Sequence, residues 1–175
     1  MDLFPALQTK LIKQVSGFTL IELMVVVSLI AIMFSIGLAS YNTFNRNQIL
    51  QQAAEETRSN LRLAQNYALV GQKPAGCAGL TLKGYNFVTT VHTYSINAVC
   101  SDDSISGPIK TVDLSSKNIS ISVNPNPPAT IVFLVLARGV DTGNVQDKTI
   151  TLSTPSGLNR VIEISTEGVI KLRTQ

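Results

Sequence analysis

Three regimes of apolar and polar residues follow one another along the chain. In the first, from Phe18 to Ser40, the only ionisable residue is Glu22. About 23 helical residues rising about 1.5 Å each reach about 35 Å, enough to cross a hydrocarbon layer of about 30 Å with some tilt. Beyond Tyr41 the composition turns polar while helical spacing persists. Leu50, Ala53, Ala54, Thr57, Leu61, Ala64 and Ala68 recur at intervals of three and four and form one mildly apolar stripe. Glu55, Glu56, Arg58, Arg62 and Gln65 fall largely elsewhere around the wheel, with Glu55 and Arg58 close enough to pair weakly. Gly71 and Pro74 are the stop signal. The pattern predicts one helix from Phe18 to about Val70, about 80 Å long by its rise per residue. Its first half, 18–41, is a transmembrane candidate, and its second half, 42–72, is an amphipathic stretch that packs on a globular head.

After Pro74 the period changes. The runs Gly79–Lys83, Tyr85–Ser95, Ile109–Leu114, Ile119–Val123, Ile131–Leu136, Thr149–Leu152, Arg160–Ile164 and Val169–Leu172 are rich in Val, Ile, Thr and aromatics and are split by Gly, Pro, Asn and Asp. They predict an all-β head over 73–175, and with the helix an α+β fold. Asn124-Pro125-Asn126-Pro127-Pro128 reads as a stiff loop, Thr154–Asn159 as a hairpin connection and Ser165–Gly168 as a tight turn. Ile131–Leu136 is the most apolar run and the expected central strand, although its periodicity also admits a short buried helix.

The total of 175 residues suits one anchor and one small domain. The formal charge of +3 is spread along the chain, and removing Asp2, Lys10 and Lys13 with residues 1–17 leaves +2. Neither value demands a nucleic-acid partner. Lys10 and Lys13 precede the apolar run, which keeps that end cytoplasmic and sends the remainder outward. An ordinary secretory signal cut after Gly37-Leu38-Ala39 is the rival reading, but such apolar cores span only about 7–15 residues.

Glu22 needs a reason, because an acidic side chain deep in a bilayer costs on the order of 3 kcal/mol. It either sits at the membrane edge and reaches water, or it has a cationic partner. If the chain is cut after Gly17, Phe18 becomes a cationic N-terminus at the positive end of the helix dipole, and a carboxylate one turn later offsets both.

Catalytic material is thin. His92 is the single histidine and has no Cys, Asp or Glu cluster at ligand spacing, so a surface or packing role is expected. Asp102-Asp103 reads as a solvated turn rather than a calcium loop. No phosphate-binding glycine loop, nucleophile elbow or metalloprotease motif occurs, and no enzyme activity, cofactor or metal is expected. Cys77 and Cys100 both lie in the part sent outward. Joined, they close a loop of about 23 residues, worth about 3 kcal/mol in the chain-entropy account, and two reduced buried thiols are the alternative.

Gly17-Phe18-Thr19-Leu20-Ile21-Glu22, followed by its long apolar helix, resembles the processing site of type IV prepilins and type II secretion pseudopilins, with Ser16 where Lys or Arg is usual. The head extends the resemblance. Phe133 six residues before Gly139, Thr149–Leu152, Arg160–Ile164 and Gly168-Val169-Ile170 follow the order seen in the GspH/FimT group of minor pilins and pseudopilins. The resemblance implies a pilin-like fold, cleavage between Gly17 and Phe18 by a prepilin peptidase, and N-methylation of Phe18. It also implies pairing of Glu22 with the N-terminus of a neighbouring subunit. Its setting would be an inner-membrane, single-pass subunit with a cytoplasmic N-terminus and a periplasmic head. Its partners would be other pilin or pseudopilin subunits, in a type II secretion pseudopilus or a type IV pilus.

The apolar helix then serves two solvents, lipid before assembly and neighbouring helices after it, with Ser28, Ser35, Gly37 and Ala39 permitting close approach. A different class of function is DNA uptake, which some FimT-type pilins support through a Gly-Arg-x-Arg stretch. The nearest equivalent is Gly168-Val169-Ile170-Lys171-Leu172-Arg173, and Arg160 would join Lys171 and Arg173 if the preceding turn sets that register. DNA contact through these three residues is the less favoured expectation.

Overall fold

The computed structural model describes residues 17–125, 130–136, 139–141 and 146–173, leaving out the side chains of 36–40. The expected leader with Lys10 and Lys13 lies outside these residues, as do Asn126-Pro127-Pro128 and the side chains of Gly37 and Ala39. The chain divides into two compact units at Asn42/Thr43. One helix, α1 (Leu20–Val70), runs unbroken through the boundary.

In the first unit every described side chain from Gly17 to Ser35 is exposed. Among the described residues no helix is long and apolar enough to cross a membrane. The described side chains of the apolar segment stop at Ser35, whereas the apolar run of the sequence continues to Tyr41.

In the second unit α1 buries the stripe its spacing predicts: Leu50, Ala53, Ala54, Thr57, Leu61, Ala64 and Ala68 are all inaccessible or nearly so. Four alanines on one face let the helix backbone come close to the strands. The Thr57 hydroxyl donates to the Ala53 carbonyl at 2.8 Å, so this polar position is satisfied inside the helix. The stop is a Schellman motif. Gly71 has φ +64°, its amide donates to the Ala68 carbonyl at 3.2 Å, and the Gln72 amide donates to the Tyr67 carbonyl at 3.1 Å.

Among the described residues nine strands follow, in two antiparallel sheets. The first sheet is ordered β3-β2-β1-β5-β6 and comprises β1 (Leu82–Thr89), β2 (Thr93–Cys100), β3 (Ile105–Asp113), β5 (Thr130–Leu134) and β6 (Val140–Asp141). The second is ordered β4-β7-β8-β9, with β4 (Ser120–Asn124), β7 (Lys148–Ser153), β8 (Asn159–Ile164) and β9 (Ile170–Arg173). Alternate residues of both sheets meet the helix stripe in one core. Tyr85, Phe87, Tyr94, Ile96, Ile131 and Phe133 come from the first sheet, and Ile121, Ile150, Leu152, Ile162 and Ile164 from the second.

Three expectations are corrected. The run Tyr85–Ser95 is not one strand. Thr90 and Thr93 exchange backbone and side-chain bonds across a turn that leaves Val91 and His92 between β1 and β2. No Gly, Pro, Asn or Asp marks that turn. The run Gly79–Lys83 is mostly turn, with Gly79 at φ +82° and the first strand beginning at Leu82. Ile131–Leu136 is not the central strand. β1 holds the centre, β5 lies between it and the two-residue β6, and the strand ends at Leu134 with Leu136 exposed in the left-handed region. β1 and β5 approach so closely that a Cβ on Gly84 would stand 2.3 Å from the Phe133 carbonyl oxygen. Only glycine fits there.

Candidate functional site

The start of α1 is built by Thr19. Its carbonyl accepts from the Leu23 amide at 3.1 Å, and its hydroxyl accepts from the Glu22 amide at 3.3 Å. Thr19 is therefore the N-cap and Glu22 the third helical residue, where a carboxylate offsets the positive end of the helix dipole. The spacing Thr-x-x-Glu is a capping-box signature readable in the sequence itself. Cutting between Gly17 and Phe18 would leave one residue between the new amino group and this cap.

Downstream, the hydroxyls of Ser28 and Ser35 donate to the carbonyls of Val25 at 2.8 Å and Ala31 at 2.9 Å. Both polar groups are satisfied within the helix, so neither hydroxyl adds an unpaired polar atom to the exposed surface of this apolar segment. No part of the chain's described residues covers that surface: Phe18 is 81% exposed and Phe34 67%. An apolar face this extensive requires another apolar medium or other copies of such a helix.

Cys77 and Cys100 form a disulfide with Cα atoms 5.6 Å apart. Cys77 ends the 3-10 turn Ala75–Cys77 that follows α1, and Cys100 ends β2. The bond thus ties the exit of the helix to the first sheet. Gly76 lies so near β3 that a Cβ there would meet the Ser106 hydroxyl oxygen at 2.1 Å.

The three cations considered for DNA contact are not brought together. Arg160 is 9% exposed and faces α1, donating to Gln51 Oε1 at 2.8 Å, Asn47 Oδ1 at 2.6 Å and the Asn159 carbonyl at 2.8 Å. The register pairs Glu163 with Lys171 and Val161 with Arg173, which places Arg160 on the opposite face of β8. Arg173 forms an ion pair with Glu163 at 2.8 Å. Lys171 and Arg173 do share an exposed face, but Glu163 stands among them and lowers its charge.

The remaining candidates are occupied locally. His92 donates from Nδ1 to the Ile119 carbonyl at 2.9 Å. Asp102 accepts from the Ser104 amide at 3.0 Å, and bonding by Ser104, chiefly its side chain and then its backbone, holds the Asp102 carboxyl below the ordinary carboxylate range. Asp103 pairs with Lys83, and that bond raises the Lys83 ammonium above its ordinary value. Among the described residues no group of three or more His, Cys, Asp or Glu is placed to hold a metal ion.

Residues 12–38 match the prokaryotic N-terminal methylation motif. No curated relative matches the sequence. The fold is similar to that of the type IV minor pilin FimU of Pseudomonas aeruginosa, strain PAO1, in two crystal forms. One aligns with a TM-score of 0.54 at 20% identity over 75% of this chain and 92% of FimU. The other has a TM-score of 0.51 at 20% identity, over 71% and 93% respectively.

Proposed function

We propose that this chain, which carries a prepilin-type methylation motif and a fold similar to that of a minor pilin, is a GspH/FimT-type minor subunit in the assembly of a type IV pilus or a type II secretion pseudopilus. The observation that carries this reading is the uncovered apolar helix beginning directly after Gly17-Phe18 and opened by the Thr19/Glu22 cap. Before assembly the segment 18–41 anchors the chain in the inner membrane, with its N-terminus cytoplasmic and its head periplasmic. A prepilin peptidase cuts between Gly17 and Phe18, and the new N-terminus is methylated. On leaving the bilayer the apolar face is covered by neighbouring helices, and Glu22 registers on the cationic N-terminus of a neighbour. A carboxylate in an apolar core is tolerated when paired and heavily penalised when not. The role is structural, and both motif and fold are those of subunits rather than enzymes.

Intact mass of the membrane-extracted chain tests the first step. The mature product should begin at methylated Phe18, and Gly17→Ala should slow its appearance. Retention of Met1, or a new terminus near Ala39, would replace this reading with an uncleaved anchor or an ordinary signal peptide. DNA uptake gains no support from the geometry, since Arg160 is turned inward and Glu163 pairs with Arg173.

A further inference from the structure

A groove of about 420 Å³ opens on the second unit where three elements converge. α1 contributes Arg46, the 3-10 turn Ser115–Lys117 and the residue after it contribute Lys117 and Asn118, and the β7–β8 turn contributes Thr154 and Ser156. Among the described residues no carboxylate lines it, and the exposed Arg46 has no hydrogen-bond or ion-pair partner. Lys117 makes one long pair, with Glu56 at 3.6 Å. The complementary charge stands at the other end of the same unit. The turn Ser165–Gly168 between β8 and β9 holds Glu167 in solvent, and among the described residues this carboxylate too has no ion-pair partner. Asp147 and Glu163 share a concavity with it, against a single cation, Lys171, and Glu163 is paired with Arg173. The β7–β8 and β8–β9 turns lie at opposite ends of β8. The helix supplies the separation. The Gln65 side-chain amide donates to the Gly168 carbonyl at 2.8 Å, and Gln65 follows Arg46 by nineteen residues, about 28 Å of helical rise.

Surfaces of opposite sign about 28 Å apart cannot meet within one copy, but they can meet between two. We propose that the groove receives the Glu167 turn of a second copy of this chain. In that contact the Glu167 carboxylate lies between Arg46, whose planar fork suits two carboxylate oxygens, and Lys117, a point charge. Asn118 and the hydroxyls of Thr154 and Ser156 supply neutral donors around it. The two surfaces are different patches, so the contact is heterologous. It leaves a free groove on one copy and a free turn on the other, and it repeats as an open array instead of closing a dimer. The inference deepens the subunit reading above and rests on it, since an open array is what a filament requires of its subunits. Exposed charges of this kind set register and orientation more than affinity.

The test uses the full mature chain in phosphatidylcholine vesicles, one half of it isotopically labelled, treated with a carbodiimide that joins an amine to a carboxylate in contact with it. Lys117–Glu56 linked peptides form within a copy, whose fold holds the partners together, and give the reference yield. Lys117 should also be linked to Glu167 in peptides of mixed isotope, which only contact between copies produces. Salt at about 0.5 M, where the screening length is about 4 Å, should lower that yield about fivefold against the reference. Arg46→Gln should lower it about threefold, the worth of one exposed charge pair, and Arg46→Lys should retain it. Arg46 is exposed, so both variants retain the core. Absence of a Lys117–Glu167 link between copies overturns the proposal and leaves the subunit reading standing, because filament incorporation is measured separately. A link indifferent to salt and to Arg46→Gln marks chance collision and also overturns it. Mixed-isotope links from Lys117 to carboxylates other than Glu167 and Asp147 assign the groove another occupant and overturn the docking of this turn. Absence of the parent chain from sheared filaments overturns the subunit reading together with this one.

Discussion

Replacing both cysteines, Cys77→Ala/Cys100→Ala, removes the covalent tie between the exit of α1 and the end of β2. The sequence separation is 23, and freeing a loop of that length in the unfolded ensemble costs about 3 kcal/mol of stability. Both sulfur atoms belong to fully buried residues, so the variant also loses some packing. For a head of this size a loss of about 3 kcal/mol lowers the unfolding midpoint by about 10–15 °C. The assay is thermal unfolding of the full chain in detergent, followed in the near ultraviolet. Tyr85 and Tyr94 are buried in the core and report the head, whereas far-ultraviolet signal is dominated by α1. Reductant added to the parent should reproduce the variant's midpoint. A fall of under about 3 °C in both would refute the reasoning. It would mean that the neighbouring contacts, including Gly76 against Ser106, already restrict this loop without the bond.

Two further outcomes follow from buried polar contacts. Arg160→Ala should destabilise the head by about 2–4 kcal/mol in denaturant unfolding, because Asn47 and Gln51 lose a charged donor, while leaving any nucleic-acid binding unchanged. Tyr94→Phe should cost about 1 kcal/mol by leaving Asn60, which donates to the Tyr94 hydroxyl at 2.7 Å, without its acceptor. Burial raises the Tyr94 phenol above its ordinary 10.0. The folded state therefore keeps its proton where the unfolded chain releases it, and this contribution is full below pH 10 and is lost as pH rises through the raised value. Stability against urea measured from pH 9 to 11 should fall less steeply in Tyr94→Phe than in the parent.

The helix was the most legible part of the chain. Its stripe from Leu50 to Ala68 is a long pattern of period three to four, and such a pattern survives the variety of its individual residues, four of them alanine. The strands were legible as runs but less so in their boundaries and order. β1 and β2 merge in sequence because Thr90 and Thr93 make their turn with hydroxyl bonds, without a glycine or proline to announce it. The centre of the first sheet went to β1 because sheet order depends on pairing between distant segments. The apolarity of Ile131–Leu136 reports burial, which a flanking strand can share. The local chemistry of the N-terminus was legible in Gly17, Phe18 and Glu22, and the Thr19 cap could have been read from its spacing to Glu22. Arg160 was misplaced because a basic residue on a strand carries no mark of which face it takes. The side of β8 that meets α1 is decided by Ile162 and Ile164, and Arg160 shares their parity.

The central claim is that the apolar helix leaves the membrane to pack in a filament, with Glu22 paired on arrival. Its most direct test is the amount of this chain in sheared filaments relative to the membrane pool, compared for the parent, Glu22→Ala and Glu22→Asp, with membrane insertion measured in parallel. The account predicts that Glu22→Ala inserts at least as well as the parent, since the apolar run becomes uninterrupted, yet falls at least tenfold in filaments, with Glu22→Asp between the two. Equal incorporation of Glu22→Ala and the parent would contradict it, leaving Glu22 a helix-capping carboxylate at the membrane edge.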